Sequence, residues 1–63
     1  MTTATTLSTS DLERVYDALA EGIDRAPAGR SEQFLVKLAL LQARELGDRD
    51  RTLTLIDTAL RDL

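Results

Sequence analysis

Three serines, eleven carboxylates and one tyrosine are the first candidates for chemistry in this 63-residue chain, which contains no histidine, cysteine or tryptophan. That absence removes the commonest general base, the thiol nucleophile and the strongest metal ligands together. Ser8, Ser10 and Ser31 each stand where a helix should begin, so capping accounts for them without a nucleophilic role. Ser31 lies in Arg-Ser-Glu, not in the Asp-Ser-Leu setting that a phosphopantetheine arm requires. The carboxylates are spread at helical spacing with no Asp-x-Asp-x-Asp-Gly loop for calcium. Asp48 and Asp50 come closest to a cluster, but Arg49 and Arg51 alternate with them. Gly22, Gly29 and Gly47 are too far apart to form a phosphate loop. Tyr16 falls on an apolar face and reads as a core residue with its hydroxyl at the rim. The expectation is a protein without catalytic, cofactor-binding or metal-binding residues.

The elements that would carry these residues are helices. Ser8 and Asp11 open the first, with Leu7 and Leu12 spaced as a hydrophobic staple; Ser10 and Glu13 offer an alternative start two residues on. Leu12, Val15, Tyr16, Leu19, Ile23 and Ala26 then follow the three-and-four spacing of one face, until Pro27 forbids continuation. After Pro27-Ala28-Gly29-Arg30, Ser31 is the expected cap of a second helix running to Leu46, with Gly47 as its terminator. Asp48 caps a third, whose expected buried face is Leu53, Ile56, Ala59, Leu60 and Leu63, with Leu55 off that face. Thr52, Thr54 and Thr58 lower its intrinsic propensity, so packing must hold it. The pattern predicts an all-α fold, a small antiparallel three-helix bundle over residues 7–63, preceded by a disordered tail over 1–6.

Size limits what such a bundle can do alone. A chain of 6.9 kDa exposes about 10,000 Å² when extended and about 4,000 Å² as a folded monomer. The stabilisation from that burial nearly cancels the entropy of ordering the chain, and there is no disulfide to add to it. A partner surface is the natural supplement. The second helix points the same way. Phe34, Leu35, Leu38 and Leu41 suffice for an internal core, yet Val36, Leu40 and Ala43, leading to Gly47, make a second apolar row about a third of the circumference away. Leu55 extends it. Contiguous exposed apolar surface of this kind marks an association site, so Val36, Leu40, Ala43 and Leu55 are the expected partner-binding residues, for a second copy or for a foreign protein.

Other partners are disfavoured. The net charge of −3 lacks the basic footprint that phosphate backbones attract. A helix-turn-helix regulator is the alternative reading, using Arg44, Arg49, Arg51 and Arg61, but Glu45, Asp48, Asp50 and Asp62 interleave with those arginines. No stretch of about 18 apolar residues exists to cross a membrane. The start, Met1-Thr2-Thr3-Ala4, lacks the charge and apolar run of a signal peptide. The expected location is cytoplasmic.

From Leu7 to Leu63 the chain resembles a family of small proteobacterial proteins catalogued as a domain of unknown function. The residues that carry the likeness are Leu7 to Leu19, the Phe34-Leu35-Val36-Lys37-Leu38-Ala39-Leu40-Leu41 run, the Glu45-Leu46-Gly47-Asp48 turn and the closing Ala59-Leu60. Such families are often encoded beside flavin-dependent aromatic hydroxylases. The resemblance implies an accessory subunit that binds a larger enzyme, and it designates no site residue.

Overall fold

The computed structural model describes residues 6–61 and Leu63. Of the expected tail over residues 1–6, residues 1–5 therefore lie outside the described residues, and Thr6 precedes the first helix. Three helices follow in order: α1 (Thr9–Arg25), α2 (Ser31–Leu46) and α3 (Arg49–Arg61). There is no strand among the described residues, and the all-α, three-helix class is what the periodicity predicts.

The helix ends are set by local chemistry. Ser8 caps α1, its Oγ accepting the Asp11 backbone N–H at 3.1 Å, which settles the start in favour of Ser8 over Ser10. Ala26 ends α1 in an extended conformation, as the residue before a proline must. Its N–H still bonds the Gly22 and Ile23 carbonyls. The link then closes as a turn, with the Arg30 N–H donating to the Pro27 carbonyl at 2.9 Å and Gly29 at φ 80°. One correction follows. The Arg30 carbonyl already accepts the Phe34 N–H, so Arg30 is the N-cap, Ser31 is the first helical residue, and α2 has no side-chain cap. At the other end Gly47 sits at φ 70°, the left-handed conformation that terminates helices at glycine. Asp48 caps α3 as expected, accepting the Arg51 N–H at 2.9 Å.

Packing departs from a closed bundle. Phe34 and Leu38 of α2 are half-buried, as are Leu19, Gly22 and Ala26 of α1. The Phe34 ring lies so close over Gly22 that a Cβ there would stand 2.6 Å from its Cζ. On α3 the half-buried residue is Thr52, and on α2 the corresponding one is Ala43. Phe34 and Ala43 are nine positions apart, two and a half helical turns, and so on opposite faces of α2. The outer helices accordingly pack on α2 from opposite sides, and among the described residues α1 and α3 do not touch. The molecule measures 44 × 25 × 23 Å with a radius of gyration of 13.4 Å, where a compact domain of this length would have about 11 Å.

Several expected core residues are thereby left in solvent. Tyr16 is 71% exposed and Leu60 63%, and Leu63, placed beyond the end of α3, is 99% exposed. Leu35 and Leu41, expected inside, are also exposed. For Tyr16 and Leu60 the cause is the same: a third helix on the far side of α2 cannot cover the shoulder of α1, nor α1 the shoulder of α3. No described residue is fully buried.

Candidate interaction surface

The gap between the outer helices is a concave apolar face. On the α1 side, Val15, Ala18 and Leu19 with Phe34, Leu38 and Gln42 line a groove of about 250 Å³. On the α3 side, Ala39, Ala43 and Leu46 with Leu55, Ile56 and Ala59 line one of about 320 Å³, to which Thr52 and Gln42 also contribute. Gln42 borders both, so the two grooves join along α2 as a saddle. The saddle is almost wholly apolar. Its polar members are Gln42, near the middle, and Thr52, whose hydroxyl donates to the Asp48 carbonyl at 2.8 Å and so needs no other partner.

This geometry corrects the expected orientation of α3. The side chains turned toward α2 are Thr52, Leu55, Ile56 and Ala59, so Leu55, expected off the packing face, belongs to it. Leu53 instead lines a separate groove of about 430 Å³ on the opposite side, with Leu40, Ala43, Arg44 and Arg49. The four residues read from the sequence as partner-binding therefore fall in different places. Leu55 lies in the saddle, Leu40 (67% exposed) lies in the opposite groove, and Ala43 borders both. Val36 is exposed and lines none of these grooves. Of the saddle residues of α1, the sequence periodicity assigns Val15 to the internal core and does not single out Ala18. Only the opposed docking of α1 and α3 shows that they border open space.

The charged groups stay on the periphery. Arg61 pairs with Asp57 at 2.7 Å and Arg49 with Asp50 at 3.2 Å, so two of the three arginines on α3 are engaged by carboxylates of their own helix. Solvent-exposed pairs like these contribute little to stability. Among the described residues no three carboxylates converge on one point, and no helix is long and apolar enough to cross a membrane. No family model, no curated protein and no solved structure matches the chain.

Proposed function

We propose that this chain is a non-catalytic helical protein-interaction module that completes its hydrophobic core by association. The observation that carries this reading is the absence of any fully buried side chain among the described residues, with fifteen large apolar side chains exposed. Monomeric proteins rarely leave contiguous apolar surface on this scale. A chain that does so gains stability in proportion to what covers it. Two kinds of partner fit: a second copy, or a larger enzyme to which the chain is an accessory subunit. The resemblance to families encoded near flavin-dependent aromatic hydroxylases favours an oxygenase for the second kind, in the cytoplasm. A nucleic-acid regulator finds less support, since two of the three α3 arginines are paired with carboxylates.

The test combines size-exclusion chromatography with light scattering on the purified chain and recovery of the tagged chain from its native host. A self-associated species, or a stoichiometric protein partner, is the expected result. A cooperatively folded monomer that recovers no protein overturns the reading.

A further inference from the structure

We propose that the saddle is filled by the saddle of a second copy, in a two-fold dimer that sets α1 of each chain against α3 of its partner. The proposal rests on the interaction-module reading above and names its occupant. Three observations carry it.

The first is area. The chain exposes 6101 Å², against about 4,000 Å² for a folded monomer of its mass. Setting aside about 800 Å² for residues 1–5, the most an extended segment of that length exposes, still leaves an excess of roughly 1,300 Å² per chain. Two chains that buried this excess against each other would hide about 2,600 Å², within the range of obligate homodimers. No foreign surface is needed to account for what is exposed.

The second is the symmetry of the face itself. A two-fold interface must be its own complement, and Gln42 stands where the two grooves meet. A carboxamide carries both donor and acceptor and so can pair with its own copy. A two-fold axis lying in the interface beside Gln42 and running along α2 brings the α1-side groove of one chain over the α3-side groove of the other.

Charge then selects this axis over the alternative. Over Thr9–Arg25, five acidic residues and two arginines leave α1 at −3; over Arg49–Arg61, three arginines and two aspartates leave α3 at +1. An axis across α2 would oppose two helices of net −3, whereas one along α2 opposes unlike charges.

The chain has no cysteine, so single cysteines report on the pairing directly. Val15→Cys on α1 and Leu55→Cys on α3 are prepared separately, mixed, and equilibrated in a glutathione redox buffer, with sedimentation equilibrium and apolar-dye binding on the wild type. The expected results are a wild-type dimer that binds little dye and a mixed Val15→Cys/Leu55→Cys disulfide in excess over either homodisulfide. Leu55→Glu should raise the dimer dissociation constant by about 30-fold or more. A dimer that yields only homodisulfides overturns the α1-to-α3 pairing. A monomer that binds dye strongly overturns the second copy as occupant while leaving the interaction-module reading intact, with a foreign partner required. A cooperative monomer that binds no dye overturns both.

Discussion

The two helix junctions of this protein differ in how they are made. At the α1–α2 junction a large ring packs over a glycine, Phe34 against Gly22, with Leu19, Ala26 and Leu38 half-buried around it. At the α2–α3 junction the half-buried residues are Ala43 and Thr52, and open grooves of about 320 and 430 Å³ flank them. The first junction is held by side-chain packing. The second is held mainly by backbone chemistry, a left-handed glycine followed at once by a capping aspartate. The half that is tied covalently tightest is therefore the half with least apolar contact of its own, and it has most to gain from a partner.

The comparison can be broken most severely at Leu38. Leu38→Glu places a carboxylate in the α1–α2 junction, and loss of most of the helical circular dichroism is expected, because a marginal domain cannot absorb a partly buried charge. Phe34→Ala should cost about 2 kcal/mol, less than a fully buried phenylalanine because the ring is half-exposed. Hydrogen exchange should then show α1 amides losing protection before those of α3. Asp48→Ala removes the cap of α3 and should lower the denaturation free energy by about 1 kcal/mol, with protection lost first in α3. Gly22→Ala should be close to neutral in the wild type, where the gain in helix propensity, up to about 1 kcal/mol, is offset by displacement of the Phe34 ring. In a Phe34→Ala background the same change should stabilise, and a double-mutant cycle measures the coupling. The smallest effect is expected from Leu40→Glu, which lies away from the saddle. A loss of association as large as that of Leu55→Glu would move the interface to the opposite groove.

Much of the fold is legible in the sequence because helix ends are local. Ser8, Pro27, Gly47 and Asp48 act within four residues of themselves, and each does what its type predicts. Ser31 fails by one position, since the turn from Pro27 to Arg30 begins the helix before serine is reached. What periodicity cannot supply is the azimuth at which each outer helix docks. α2 is apolar over most of its circumference, so its pattern admits neighbours on adjacent or on opposite faces. The opposed arrangement moves Tyr16 and Leu60 to the surface and turns Leu55, itself still exposed, toward the saddle. The interaction surface suffers from the same ambiguity: an excess of apolar residues on α2 is visible in the sequence, but the face between α1 and α3 is not.

The lack of contact between α1 and α3 also bears on how quickly the chain can organise itself. Among the described residues every interhelical contact joins helices adjacent in sequence, as in a stacked-repeat protein. No loop longer than one helical hairpin has to close before stabilising contacts form. Chains with such local contacts fold on the microsecond-to-millisecond scale, far faster than two molecules meet at micromolar concentration with ordinary association constants. Hairpin formation should therefore settle into rapid pre-equilibrium, leaving the encounter between molecules as the slow, second-order step.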